Sequence, residues 1–175
     1  GGNALADVLS GKVNFSGRLV DSWPMNYAQI PDGENYSSLN GNLENEYYTE
    51  GRYVGYRYFD SFGVAPRFPF GFGLSYTTFA QNVTEVTLDG KILAARVQVT
   101  NTGKVPGREI VQGYLHIPGS VAQSLTAFAK TPVLTAGESC ETTLMIDLAD
   151  NAVYHEEDAR WELPQGEYRL YIGEN

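Results

Sequence analysis

The sequence has one cysteine and two histidines, which leaves little material for a disulfide or a metal centre. Cys140 cannot form an internal disulfide, and its surroundings predict a half-buried position in a strand. His116 and His155 lie far apart in the chain, so no metal-ligand spacing arises. We therefore expect no metal and no other cofactor.

Positive charge and long apolar runs are also scarce. The 12 lysines and arginines face 21 aspartates and glutamates, for a formal net charge of −9. Nucleic-acid binders need clustered positive charge, so this balance argues against a nucleic-acid partner and against anionic membranes. No stretch approaches the roughly 20 apolar residues that span a bilayer, and no signal peptide is recognisable. With one cysteine, periplasmic, secreted and cytoplasmic locations all stay open.

The first segment predicts a helix over residues 2–10, with Leu5, Val8 and Leu9 on one face and Gly11 as its stop. A helix that begins at the second residue has little N-terminal support. We therefore expect it to be the last helix of a domain whose body precedes residue 1. A short extended stretch follows at residues 17–23.

Residues 25–78 have no clean periodicity but are unusually aromatic. Disordered linkers are poor in aromatic residues, and so long an irregular stretch is uncommon unless it is functional. This segment, called the arm below, is predicted to be ordered and to bury its rings against a neighbouring domain. Its rings include Tyr47, Tyr48, Tyr53, Tyr56, Tyr58, Phe59, Phe62, Phe68, Phe70, Phe72 and Tyr76.

From about residue 79 the pattern becomes one of short strands separated by turn signals such as Asp89-Gly90. Such spacing predicts a mostly β fold, a sandwich of the immunoglobulin or fibronectin III type. The missing Cys…Trp…Cys pattern disfavours a true immunoglobulin domain. The predicted strands are 83–88, 92–100, 109–117, 131–134, 141–148, 159–163 and 167–172.

The strongest motifs are YTEGRYVGYRYFD at residues 48–60 and PFGFGLSYTTF at residues 69–79. Their glycines allow tight turns or close backbone approach. Their rings could form a platform for stacking sugars or a packing surface between domains. The rings are too dense for all of them to face solvent, so we favour packing.

These two segments resemble the tail that characterises family 3 glycoside hydrolases. Residues 2–9 (GNALADVL) and 14–19 (NFSGRL) resemble the end of that family's α/β sandwich domain. Its fibronectin III-like domain is resembled by VQVTNTG (97–103), GREIVQ (107–112), AGES (136–139) and GEYRLYIG (166–173). The resemblance implies an α/β sandwich remnant at 1–24, the connecting arm at 25–78 and a fibronectin III-like β-sandwich at 79–175.

The sequence departs from the family pattern at a few positions. Phe15 and Val20 stand where proline is usual, and Ala127 stands where glycine is common. Gly113 occupies a strand position that usually holds a bulky residue. Glycine inside a strand weakens packing and predicts a bulge there.

The resemblance also implies where catalysis occurs. Family members are retaining enzymes that use two carboxyl groups. The nucleophilic aspartate lies in a (β/α)8 barrel and the acid/base glutamate usually in the sandwich domain, both ahead of the part matched here. We therefore assign no catalytic residue, leave the substrate-binding residues unknown, and predict this segment alone to be inactive. In some relatives the barrel follows the fibronectin III-like domain instead of preceding the sandwich domain. This chain ends at residues 173–175, directly after a predicted strand, which leaves both domain orders open.

The acidic residues of the chain itself are weak candidates for a catalytic pair. Glu50 is expected to be held by backbone amides or by Arg52 or Arg57. The resemblance places the acidic arm beside the parent's active site. The other carboxylates considered are Glu44, Glu46 and Asp60 in the arm and Glu156, Glu157 and Asp158, an acidic run expected to be a solvated turn.

Two tryptophans could also stack on a sugar. Trp161 lies in a predicted strand, and we expect it to be a core or inter-sheet residue. Trp23 precedes Pro24 and ends the sandwich remnant, where we expect a structural role.

Three hypotheses follow. The chain is part of an enzyme that removes terminal β-linked glucose or xylose, a stand-alone carbohydrate-binding or adhesion module, or a purely structural interaction domain. A free-standing module has no use for a long aromatic arm, which favours the first hypothesis. The partners expected are then the parent's barrel and α/β sandwich domains and β-linked glucosides, with a homo-oligomer left open. We hypothesise tight association with those domains.

Overall fold

The computed structural model describes residues 1–36 and 40–173, and β-strands dominate it. Two α-helices occur, α1 (Gly2–Leu9) and α2 (Tyr56–Phe62), together with short 3₁₀ helices at Tyr27–Gln29 and Leu148–Asn151. No helix in these ranges is long and apolar enough to cross a membrane. The strands are β1 (Phe79–Asp89), β2 (Ile92–Asn101), β3 (Ile110–His116), β4 (Ser124–Lys130), β5 (Ser139–Asp147), β6 (Val153–His155), β7 (Arg160–Glu162) and β8 (Arg169–Ile172).

Two antiparallel three-stranded sheets, β1-β2-β5 and β4-β3-β8, form the sandwich. Strand β2 alternates: Val97 and Val99 are fully buried, whereas Arg96 and Gln98 face solvent. That period of two is what a strand with one covered face requires. The core cluster is Val97, Val99, Val111, Leu134 and Leu144. The sandwich predicted from the strand spacing is therefore confirmed.

Strand β3 is buried on both faces. Val111 faces the core cluster, while Gln112 and Tyr114 turn to the opposite face and are covered there as well. The β3–β4 register shifts between Gly113 and Tyr114, which confirms the bulge predicted at Gly113. A Cβ atom at that glycine would lie 2.9 Å from Cδ1 of Leu144, so the opposing sheet leaves no room for a bulky residue.

Several predicted strands need correction. Residues 131–134 were expected to form a strand, but Leu134 makes only an isolated bridge with Gly107, and the strand lies earlier, at Ser124–Lys130. Pro132 cannot donate to a ladder, and the small residues of β4 give a weak apolar pattern. Strand β6 was missed altogether; with β7 it forms a separate hairpin.

In its described residues, 25–36 and 40–78, the arm contains a helix where an irregular stretch was expected. Helix α2 starts after Gly55 (φ 57°) and ends at Gly63 (φ 62°), whose left-handed conformation is common at a helix C-terminus. Phe59 is its buried residue. The helix has only seven residues, fewer than the roughly 11–18 over which a 3.6-residue period can be recognised, so the sequence did not reveal it.

Asn101 joins the arm to the sandwich. Its fully buried side chain donates to the carbonyls of Val105 (2.9 Å) and Leu134 (2.8 Å). Its Oδ1 accepts from the Thr77 hydroxyl (2.6 Å) and from the Gly103 amide (3.0 Å). Every polar atom of this side chain is satisfied, as a buried amide needs to be.

Candidate functional site

The N-terminal segment is held against the sandwich and the end of the arm by polar contacts, one of them a largely buried ion pair. Arg18 forms an ion pair with Glu109, and both side chains are largely buried. Asn14 donates to the Pro106 carbonyl (3.1 Å) and accepts from the Tyr76 amide (3.0 Å). Burying ions costs free energy unless they are paired, so these contacts specify one position for the segment.

The extended stretch at residues 17–23 lies antiparallel to the end of the arm. The Leu19 amide donates to the Phe72 carbonyl (2.8 Å), and the Gly71 amide donates back to Leu19 (2.8 Å). Further along, the Trp23 amide donates to the Phe68 carbonyl (2.8 Å). The prediction of an extended segment is thus confirmed, although it contains a single bridge and no regular strand.

The outer face of β3 anchors the arm. Gln112 donates to the Gly71 carbonyl (3.1 Å) and accepts from the Tyr114 hydroxyl (2.9 Å). Tyr56 packs edge-on against Tyr114, with ring centroids 6.2 Å apart, and its hydroxyl accepts from the Leu125 amide (3.0 Å). The prediction that the arm buries its rings against another domain is therefore wrong for these rings, since this chain's own second sheet covers them.

Other apolar side chains of the same segments stay uncovered. On α1, Leu5 is 61% and Leu9 73% exposed. Beside the paired segments runs an apolar groove lined by six large side chains. An apolar groove that is open to solvent is a candidate surface for a neighbouring domain or a partner. The groove residues are Phe15, Leu19, Trp23, Phe68, Phe72 and Leu74.

Trp23 lines this groove and is only partly packed. Its ring packs edge-on against Phe68, with centroids 6.0 Å apart, while 53% of the residue is exposed. The contact with Phe68 is consistent with the structural role predicted for Trp23, which stays a prediction.

A second cleft in the arm combines carboxylates and tyrosines. Asp32, Glu46 and Glu50 line it together with Tyr27, Tyr36, Tyr47 and Tyr48, and we call it the acidic cleft. Asp32 has a positive φ of 58°, uncommon for a residue other than glycine. Hydrogen bonds from Thr49 and Asn35 lower the pKa of the Asp32 carboxyl. Sequence reasoning missed Asp32, although the turn signal Asp32-Gly33 marks the place.

Of the arm carboxylates considered from the sequence, Glu46 and Glu50 both line the acidic cleft, and Glu44 and Asp60 do not. Glu44 and Asp60 are exposed, and Asp60 lies on α2. Within the described ranges Glu50 forms no side-chain hydrogen bond or ion pair, so its expected capture by backbone amides or by Arg52 or Arg57 is wrong. Both arginines line a cleft beside Ser120, whereas Glu50 lies beside Asp32.

The acidic run at residues 156–158 is the exposed turn of the β6–β7 hairpin, which confirms the solvated turn expected there. Trp161 is in a strand, as predicted, but it is 71% exposed. Its assignment to the core or to the space between sheets is wrong, because β6 and β7 belong to neither sheet. Cys140 is half-buried in β5 as predicted, and burial raises the pKa of its thiol.

Comparison with known proteins decides the family. The sequence model described as "Glycosyl hydrolase family 3 C-terminal domain" matches residues 1–76, and the "Fibronectin type III-like domain" model matches residues 109–175. The chain belongs to glycoside hydrolase family 3. The boundaries expected from the sequence, 1–24, 25–78 and 79–175, stay a prediction.

Family 3 relatives match nearly the whole chain. A protein described as thermostable beta-glucosidase B, from Acetivibrio thermocellus, is 38% identical over 98% of this chain. An exo-alpha-(1->6)-L-arabinopyranosidase from Bifidobacterium breve is 37% identical over 99% of this chain. The crystal structure of a beta-glucosidase from Paenibacillus barengoltzii superposes with a TM-score of 0.91 at 38% identity over 99%. The chain spans 23% of each curated relative and 20% of the solved one.

Proposed function

We propose that this chain is the C-terminal structural segment of a retaining, exo-acting β-glycosidase that releases terminal β-D-glucosyl residues in carbohydrate catabolism. The β-glucosidases among its relatives support the activity. The observations that carry the structural role are the uncovered apolar groove and the exposed leucines of α1. In this proposal, the barrel and the rest of the α/β sandwich domain cover both.

The proposal assigns the segment an indirect part in catalysis. Retaining hydrolysis needs two carboxyl groups about 5–5.5 Å apart, and we place both in the other domains of the parent. The Arg18–Glu109 pair, the Asn101 hydrogen bonds and the Gln112–Gly71 contact support a rigid link between the sandwich and the docked segments. Such a link would hold the acidic cleft at one edge of the parent's substrate site.

A second activity is favoured by one relative, the arabinopyranosidase, because a pyranose without the exocyclic hydroxymethyl group is also accepted within the family. A β-xylosidase parent is an alternative for the same reason, because xylopyranose also lacks the exocyclic hydroxymethyl group. A free-standing carbohydrate-binding or adhesion module is disfavoured, since it would leave the apolar groove in water, at a cost of about 25 cal/mol per Å².

The test compares the full-length protein with residues 1–175 alone on aryl β-glucoside, β-xyloside and α-L-arabinopyranoside. We expect the full-length protein to prefer the β-glucoside and the isolated chain to show no turnover. Turnover by the isolated chain would overturn the placement of the catalytic pair. Preference for either other substrate would replace the glucosidase assignment.

A further inference from the structure

The β6–β7 hairpin presents an indole to solvent. Trp161 lies directly opposite Tyr154 in the hairpin register, and the two rings are 5.1 Å apart between centroids, inclined at 50°. The hairpin belongs to neither sheet of the sandwich, and Trp161 is 71% exposed. A large exposed ring that is rigidly supported from one side offers its other surface to a ligand.

Trp161 lines a cleft between the hairpin and the arm, of about 620 Å³. That volume falls in the usual range for small-molecule sites. The arm contributes Arg52, Tyr53 and Arg57, the loop before β4 contributes Ser120, and the first residue of β4 contributes Ser124. The cleft thus combines aromatic surfaces, hydroxyl groups and two guanidinium groups.

The residues that line this cleft carry positive charge, whereas the chain as a whole is negatively charged. The chain carries a formal charge of −9, yet none of the residues lining the cleft is acidic. Arg57 is oriented by Ser124, whose hydroxyl oxygen lies 3.4 Å from it, and by the Tyr56 ring below it. Across residues 1–36 and 40–173, Arg52 makes neither a hydrogen bond nor an ion pair.

The nearby acidic side chain is already engaged. Glu162 of the hairpin accepts from Arg160 at 2.9 Å and lies 3.8 Å from His155. Arg160 in turn contacts Asp158 at 3.1 Å. Arg160 is shared by two of the hairpin's four carboxylates, and these ion pairs do not involve the two arm guanidinium groups, which are available to an external anion.

We propose that this cleft binds a uronic acid residue of an oligosaccharide, with the sugar ring on Trp161 and its carboxylate on Arg52 and Arg57. Guanidinium groups bind carboxylates bidentately and are weakly hydrated. The apolar face of a pyranose complements an indole, and Ser120 and Ser124 can exchange hydrogen bonds with its hydroxyl groups. The proposal does not depend on the proposed β-glucosidase activity.

The test uses the full-length protein and a matched pair of ligands, methyl β-D-glucuronide and methyl β-D-glucoside, with acetate as a plain anion. Binding is measured by calorimetric or NMR titration. Losing one charged hydrogen-bonding group costs about tenfold in affinity. We therefore expect Arg52→Gln and Trp161→Ala each to weaken glucuronide binding about tenfold. Added salt should weaken it as well, since the attraction is screened.

Arg96→Gln is the matched control, because it removes the same charge from an exposed site on β2 that is paired with Glu85. It should leave glucuronide binding unchanged. All three variants should hydrolyse an aryl β-glucoside as the unaltered protein does. Absence of hydrolysis with glucuronide binding intact would refute the proposed function and leave this site standing.

Three outcomes would overturn the site. Glucuronide affinity could be the same in Arg52→Gln and Trp161→Ala as in the unaltered protein. Acetate could bind as tightly as the glucuronide, which would reduce the cleft to a simple anion contact. The variants could instead lower the unfolding temperature without any glucuronide binding, which would mean that another domain of the protein fills the cleft.

Discussion

Single side chains decide how firmly the arm is joined to the sandwich, and Asn101 is the clearest case. Asn101→Ala would leave the Val105 carbonyl and the Thr77 hydroxyl without their partner. The Leu134 carbonyl and the Gly103 amide would each lose one of two hydrogen bonds, because Leu134 also accepts from the Gly107 amide and Gly103 also donates to the Thr78 carbonyl. Each buried polar group left unsatisfied costs about 1–3 kcal/mol. We expect the free energy of unfolding to fall by about 3 kcal/mol.

Chemical denaturation of the full-length protein measures this loss, provided that the transition of the sandwich is followed. Asn82→Ala, on the exposed strand β1, is the control and should have little effect. Equal losses in the two variants would show that the buried amide network contributes no special stability.

Gly71 offers a second residue-scale prediction. Its φ is 81°, and a Cβ atom there would lie 2.7 Å from the Tyr114 hydroxyl and would also collide with the Gln112 amide. Gly137 has nearly the same φ, 78°, but open space around it. Left-handed backbone costs alanine about 1–2 kcal/mol, so Gly137→Ala should destabilise by about that amount and Gly71→Ala by about twice as much.

Thermal unfolding of the two variants separates backbone strain from steric collision. If both lost equal stability, the arm would not be packed tightly on the outer face of β3. That result would show that the Gln112–Gly71 hydrogen bond does not anchor the arm to the sandwich.

At the level of elements, the turn into β5 links stability to pH. The Glu138 carboxylate accepts from the amide (2.8 Å) and hydroxyl (2.9 Å) of Thr135, and these bonds lower the pKa of Glu138. A lowered folded-state pKa contributes stability above the unfolded value, about 4.3, that is lost as pH falls through the folded value. We expect the unfolding temperature to drop as pH falls from roughly 5 to 3.

Glu138→Gln should flatten that dependence, because the substituted side chain does not titrate. Glu141→Gln, on the exposed side of β5, removes an equal charge and serves as the control. An unchanged slope in Glu138→Gln would show that other carboxylates account for the acid sensitivity. Glu167, whose pKa the Arg169 guanidinium lowers, would be the next to substitute.

The elements also show what a sequence can and cannot reveal. Strand β2 was predictable because Val97 and Val99 alternate with Arg96 and Gln98. Strand β4 was not predictable, because its large residue Phe128 is 71% exposed and the side chains that β4 turns to the core, Ala127 and Ala129, are small. Helix α2 was missed because its seven residues are too few to show a helical period. The acidic cleft brings Asp32 beside Glu46 and Glu50 through tertiary folding, which no spacing in the sequence encodes.

On the scale of the whole molecule, the exposed leucines of α1 are the decisive feature. A monomeric chain with this surface should bind a hydrophobic dye when isolated, and the full-length protein should not. Burial of a leucine is worth about 1.5–3 kcal/mol. Leu5→Ser should therefore destabilise the full-length protein by about that amount and leave the isolated chain almost unaffected.

Leu88→Ser is the matched control for this last prediction, because Leu88 on β1 is 62% exposed, nearly the same as Leu5. If the other domains cover α1 and leave β1 in water, only Leu5→Ser lowers the unfolding temperature of the full-length protein. If Leu5→Ser and Leu88→Ser lowered the unfolding temperature equally, side-chain exposure in this chain would not indicate where another domain docks. An isolated chain that is monomeric, stable and silent to the dye would remove the reason for expecting a covering domain, and with it the proposed structural role.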